Sequence, residues 1–213
     1  MQKIRIVIID DHTLIRQTWA FILNSDDRFD VAGETGNAEN GIELCQELRP
    51  DIVLLDINLP GMNGIEAAPL IRKHSPCTKI IGVSLHTQVA YARKLIQRGG
   101  SGYITKNSSR KEMILALLQV HSGKKYICEE MKNIISQDIL LNKENQGIHS
   151  LSMREMQIVD RIKQGLSSKE MAAEMYISVK TVEVHRYNIL RKLNLKNAAQ
   201  LVAYAGRYQL SLN

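Results

Sequence analysis

Through the first 122 residues, short apolar runs alternate with amphipathic stretches, the pattern of strands and helices taking turns. Strands are predicted at IRIVIID (4 to 10), FDVAGE (29 to 34), DIVLLD (51 to 56), KIIGVS (79 to 84) and SGYIT (101 to 105). Helical spacing follows each of them, near 12 to 24, 37 to 48, 63 to 74, 87 to 98 and 108 to 121. Runs such as IVII and IVLL are apolar on both faces, as a parallel sheet covered by helices on both sides requires. Five βα units predict an α/β fold with a doubly wound, five-stranded parallel sheet. Pro69 interrupts the third helical pattern by removing an N–H and crowding the preceding turn, so a kink or a late start is expected there.

Near residue 123 this rhythm stops: CEEMKNIISQDILL keeps helical spacing, and NKENQGIHS is polar and turn-rich. The expected boundaries are 1–122 for the α/β domain, 123–148 for a helical linker and 149–213 for a smaller all-α domain. The last carries four helical patterns, near 152 to 164, 168 to 175, 179 to 193 and 197 to 206. SMRE (152 to 155) and SSKE (167 to 170) fit the S-x-x-E capping box, in which hydroxyl and carboxylate satisfy backbone donors at a helix start. Ser178 can cap the third helix, and MYIS leaves only a short turn before it, as in a helix-turn-helix.

Charge sharpens this division. The chain carries 28 Lys and Arg against 22 Asp and Glu. Residues 149 to 213 hold 10 basic and 5 acidic side chains, whereas residues 1 to 148 hold 18 and 17. Nearly all the excess therefore sits in the last third, which points to a polyanionic partner. Cys45, Cys77 and Cys128 are odd in number and far apart, which fits neither a disulfide framework nor a metal-ligand spacing and suits a reducing cytoplasm. The apolar run at the N-terminus is too short for a signal peptide, and no stretch approaches a membrane span, so no membrane association is expected.

In an open parallel sheet, ligands bind beyond the carboxyl ends of the strands. Asp56 ends the third predicted strand, and Asp10 and Asp11 end the first. A 2-1-3-4-5 strand order makes those two strands neighbours, so three carboxylates share one pocket. Such a cluster repels itself unless something positive enters, and hard oxygen ligands suit Mg²⁺. Ser84 and Lys106 end the fourth and fifth strands with a hydroxyl and an ammonium. Together these groups can neutralise a phosphoryl group delivered to Asp56, since phosphoryl transfer is mainly positioning and charge stabilisation. A lone Asp at a strand end is more often a cap or turn former.

IIDD, LLDINLPGMNG, GVS and GYITK, occurring in this order at βα spacing, resemble the receiver domain of two-component response regulators, a flavodoxin-like fold. That resemblance implies Asp56 as phosphoacceptor, with Asp11, Asp56 and the backbone carbonyl of Asn58 holding Mg²⁺ and Asp10 acting partly through water. It implies that Ser84 and Lys106 contact the phosphoryl oxygens, and that Tyr103 is the aromatic switch turning inward behind Ser84. Asn58 and His86 match positions that tune the lifetime of the phosphate. The lysine is followed by Asn107 where many receivers have Pro, so their cis peptide bond is not carried over.

On a 100° wheel, the helix at 179 to 193 buries Val182, Ile189 and Leu193, flanked by Val179, His185 and Leu190. Opposite lie Lys180, Val184, Tyr187 and Arg191, with Glu183 and Asn188 at the edges. On a major-groove helix the valine can meet a thymine methyl, while Glu, Asn or Tyr read base edges. LSMRE, GLSSKEMAAEMYIS, KTVEVHRYNILRKL and AAQLVAYA together resemble the LuxR-type helix-turn-helix of NarL/FixJ-class response regulators. This resemblance implies that the helix enters the major groove of double-stranded DNA with Lys180, Thr181, Arg191 and Lys192 near phosphates. It also implies that the last helix forms a dimer contact.

The combined expectation is a DNA-binding transcription regulator, not an enzyme, whose phosphorylation at Asp56 by a cognate histidine kinase controls a homodimer and its dealings with RNA polymerase. A haloacid-dehalogenase-type phosphatase would need a carboxylic general acid where this chain has Asn58. A regulator that binds DNA independently of phosphorylation is the remaining alternative, and the intact Asp10, Asp11, Asp56, Ser84 and Lys106 set argues against it.

Overall fold

The computed structural model describes residues 2–85, 87, 89–141 and 150–210, with backbone alone for 137–141 and 206–210. His86 and residues 142–148 of the expected linker lie outside the described residues. The chain forms two compact units, Met1–Ser136 and Gln137–Asn213.

In the first unit, strands β1 (Ile4–Ile9), β2 (Phe29–Thr35), β3 (Ile52–Asp56), β4 (Lys79–Ser84) and β5 (Gly102–Thr105) alternate with helices α1 (Thr13–Asn24), α2 (Ala38–Leu48), α3 (Gly64–His74), α4 (Val89–Gln97) and α5 (Arg110–His121). All strand pairs are parallel. The sheet order is β2-β1-β3-β4-β5, with the chain reversing its direction of growth at β1 and β3. Every residue of β3 is buried, as a central strand with helices on both faces demands.

The expected count of five strands is corrected to six among the described residues. Tyr126 and Ile127 form β6, which pairs with Gly102 and Tyr103 at the edge of the sheet. Two residues are too few to show a strand period. What holds them is burial, since Tyr126, Cys128 and Met131 are all buried. The segment expected to be a helical linker from 123 thus begins as a strand, and only then becomes helix α6 (Glu129–Leu141). Helix α3 decides one of the two alternatives expected at Pro69. It begins at Gly64 and continues through Pro69, so the late start is not observed. A reciprocal cap fixes that start: Glu66 N–H donates to Asn63 Oδ1 at 3.0 Å, and Asn63 N–H donates to Glu66 Oε2 at 3.3 Å.

The second unit contains α7 (Met153–Lys163), α8 (Ser168–Glu174), α9 (Val179–Lys192) and α10 (Ala198–Leu210). Both capping boxes form, Ser152 with Glu155 and Ser167 with Glu170, and Ser178 accepts from Thr181 N–H. Tyr176 takes a left-handed backbone, φ 54°, in the short turn from α8 to α9. Val182 and Ile189 of α9 are fully buried and pack the helix into this unit's core.

Candidate functional site

Register brings the acidic residues together. Ile9 pairs with Leu55 across β1 and β3, so Asp10 and Asp56, one residue further on, leave the sheet side by side. Ser84 pairs with Thr105 across β4 and β5, and Lys106 N–H donates to the Ser84 carbonyl at 2.8 Å. Strand ends β1, β3, β4 and β5 therefore open onto one pocket.

Asp10 and Asp56 are buried at its floor, 3% and 1% exposed, while Asp11 and His12 sit at its rim. The Lys106 side chain is buried between the two floor carboxylates, with Nζ 2.8 Å from Asp10 Oδ2 and 2.7 Å from Asp56 Oδ2. Burial pushes the Asp56 carboxyl up to about 6, opposed by Lys106 and reinforced by Asp10. Burial disfavours the Lys106 ammonium, but the two carboxylates outweigh it and raise its pKa. Backbone donors add to this: Asn58 N–H reaches Asp56 Oδ1 at 2.8 Å, and His12 N–H reaches Asp10 Oδ1 at 2.8 Å, an oxygen that Lys106 Nζ also approaches at 2.9 Å.

Ser84 and Tyr103 are both fully buried, and their side chains are hydrogen-bonded to each other. Burial raises the Tyr103 phenol further above its ordinary range. The aromatic switch candidate is thus inward, behind the hydroxyl at the β4 end. No peptide bond among the described residues is cis, the one following Lys106 included.

On α9, Lys180, Glu183, Val184, Tyr187 and Arg191 are exposed as the helical wheel predicts, with Val184 at 52% and Tyr187 at 63%. Asn188 is half-buried. Thr181 is half-buried too, and its hydroxyl lies 2.8 Å from the capping Ser178 hydroxyl. Two expectations change. Val179 was placed toward the core but is 42% exposed, at the first position of the helix. Lys192, expected to face phosphates, donates from Nζ to Glu155 Oε2 at 2.7 Å and ties the end of α9 to the start of α7.

Residues 6–118 match the response regulator receiver domain family, and residues 149–205 match the bacterial regulatory proteins of the luxR family. Oxygen regulatory protein NreC of Staphylococcus carnosus is 32% identical over 213 residues, 97% of this chain and 98% of its own length. The chain is a response regulator. Transcriptional regulatory protein DegU of Brevibacillus brevis is also 32% identical, over 94% of this regulator and 92% of its own length. Among solved structures, response regulator ChrA of a heme-sensing two-component system superposes with a TM-score of 0.56 at 26% identity, covering 99% of this regulator and all of ChrA. RcsB in complex with DNA superposes with a TM-score of 0.61 at 20% identity over the whole of both chains, which shows the shared fold.

The regulator therefore joins a receiver to a LuxR-type DNA-binding domain, in a family that regulates transcription by binding DNA and is not an enzyme family. No helix among the described residues is long and apolar enough to cross a membrane.

The pocket also contains a residue that sequence reasoning missed. His12 Nδ1 lies 2.8 Å from Asp11 Oδ1 and 3.1 Å from Lys106 Nζ, and Asp10, Asp11, His12 and Asp56 offer ligand atoms within 4.8 Å of one another. The available signal was adjacency to the Asp pair at a strand end, where the chain turns into α1. The donor set fits a hard divalent cation such as receivers take at this place: three carboxylates converge, two of them buried. In addition, the Asn58 side-chain oxygen is buried there without a hydrogen-bond donor.

Proposed function

We propose that Asp56 is the phosphoacceptor of this regulator and that its phosphorylation controls DNA binding. The observation that carries this reading is the Lys106 ammonium held between Asp10 and Asp56 at 2.8 and 2.7 Å, at strand ends shared with the Ser84–Tyr103 pair. An Asp56 carboxylate oxygen attacks phosphorus, the bond from phosphorus to the donor breaks, and the donor leaves with that electron pair. Lys106 balances the charge that accumulates, and Ser84 donates to a phosphoryl oxygen. Asp10, Asp11 and Asp56, with Asn58 beside them, are the groups to hold Mg²⁺, which supplies charge neutralisation when bound. Tyr103 packs behind Ser84, so any shift of that hydroxyl toward phosphate is felt at β5.

The donor is a cognate histidine kinase or a small acyl phosphate. The receiver, which extends beyond the expected 1–122 to include β6, and the DNA-binding domain at 149–213 communicate through what remains of 123–148. Phosphorylation favours a homodimer on two half-sites, placing the α9 helices in successive major grooves and the assembly within reach of RNA polymerase, in the cytoplasm. Lys180, Thr181 and Arg191 contact phosphates, with Lys192 a lesser contributor because Glu155 engages it. Glu183, Val184, Tyr187 and Asn188 face the bases.

The test is intact mass after incubation with acetyl phosphate and Mg²⁺, wild type against Asp56→Asn, with sizing chromatography on the same samples. A phosphoryl adduct absent from the variant, with a shift to dimer, is expected. No adduct with DNA binding intact would favour the phosphorylation-independent reading.

A further inference from the structure

Of the residues expected to read bases, Glu183 is held by a neighbouring helix. Ser168, the first residue of α8, donates its hydroxyl to Glu183 Oε1 on α9. The same hydroxyl oxygen accepts from Arg186 Nη1 at 3.1 Å. A hydroxyl has one proton, so these two bonds fix its direction: guanidinium to hydroxyl to carboxylate. Arg186 is half-buried and spent in this chain, while Glu183 remains exposed. Its second oxygen, Oε2, has no hydrogen-bond partner among the described residues.

We propose that Ser168 is a specificity-determining positioning residue, which holds one oxygen of Glu183 so that the other is presented to the amino group of a cytosine in the major groove. A free glutamate on a helix surface samples several rotamers, and freezing it costs side-chain entropy each time it binds a base. Ser168 and Arg186 freeze it in advance, so the discrimination survives binding undiminished. The chemistry favours cytosine because a carboxylate only accepts: the C4 amino group is the one polar group cytosine presents in the major groove, whereas adenine sets its N7 acceptor beside its N6 donor and thymine offers an acceptor alone. A guanine at that position would set two acceptors, N7 and O6, against the carboxylate. The inference rests on the proposed seating of α9 in the major groove.

The test is selection of binding sites from a randomised duplex pool by the full-length regulator, with affinities on the selected and on random DNA. Wild type, Ser168→Ala, Ser168→Thr, Glu183→Gln and the Ser168→Ala/Glu183→Gln double variant are compared, each with a melting curve. Wild type should show a cytosine preference at one position of each half-site. Ser168→Ala should relax it by about fivefold to tenfold with affinity for random DNA unchanged. Ser168→Thr, which keeps the hydroxyl, should restore it. Glu183→Gln should alter the same position, and the double variant should match Glu183→Gln alone. If Glu183→Gln shifts the preference while Ser168→Ala leaves it intact, or if Ser168→Ala weakens all sequences equally, the positioning role is overturned and DNA binding stands. If wild type selects no sequence, the DNA-reading assignment falls and this role with it.

Discussion

The Lys106 ammonium lies 2.7 Å from Asp56 Oδ2 and is the cation buried between Asp56 and Asp10. Removing one member of a buried ion cluster leaves uncompensated charge, which costs more than the cluster's own net worth. Lys106→Met should therefore destabilise the receiver by about 3 kcal/mol. Trp19 is the chain's single tryptophan and lies on α1, so its fluorescence follows receiver unfolding alone. Adding Asp56→Asn to Lys106→Met should recover part of the loss by removing one of the repelling carboxylates. Equal stability of the single and double variants would show that Lys106 is not what balances these charges.

Gly64 packs against the backbone at the end of β3, with its N–H donating to the Ile57 carbonyl at 3.1 Å. A Cβ there would come within 2.1 Å of the Asp56 carbonyl oxygen, which is backbone and cannot swing aside. Gly64→Ala should therefore move the end of β3 or the start of α3, costing about 2 kcal/mol. It should also slow phosphorylation by acetyl phosphate, because the carboxylate proposed to accept phosphate moves with its own backbone. Adduct formation at the wild-type rate, followed by intact mass, would mean that α3 shifts and the strand end does not.

Much of this pocket was legible because it is local. The Asp10–Asp11 pair, Asp56, Ser84 and Lys106 each end an apolar run, and parallel register carries them to one edge without further information. The capping boxes at Ser152 and Ser167 were legible for the same reason, since both partners lie within four residues. What escaped depends on packing. Strand β6 has two residues and no period, so only its partner β5 reveals it. Val179 obeys the wheel in angle but sits at the helix end, where the wheel says nothing of cover. The destination of Lys192 was set by Glu155, 37 residues away in sequence.

That pair gives the DNA-binding domain a dependence on acid. Burial raises the Glu155 carboxyl, but the Lys192 hydrogen bond and the Ser152 contacts outweigh it and hold the carboxyl below the ordinary glutamate range. A carboxyl depressed in the folded state binds fewer protons there than when unfolded. Its stabilisation is present above the unfolded value, about 4.3, and is lost as pH falls through the folded one. Amide protection in α7 and α9 should therefore weaken more steeply below about pH 5 in the wild type than in Glu155→Gln. Glu155→Gln should also lower protection at neutral pH, where its contribution is complete. Parallel pH profiles for the two proteins would remove Glu155 from the acid response.

The proposed seating of α9 divides its exposed face by chemistry into residues to hold the DNA backbone and residues to read sequence. Lys180 offers a point charge that any phosphate satisfies. Lys180→Ala should therefore weaken every duplex alike and reduce the slope of log affinity against log salt by about 0.9. Val184 and Tyr187 are exposed apolar and aromatic surface on the same face, with no charge to offer. Replacing either with Ala should erode discrimination by about 1 to 3 kcal/mol at one base pair and leave the salt slope unchanged. Titrations on a selected site and on random duplex at several salt concentrations separate the two classes. Equal losses on both duplexes for all three variants would show that α9 meets DNA through its charge alone.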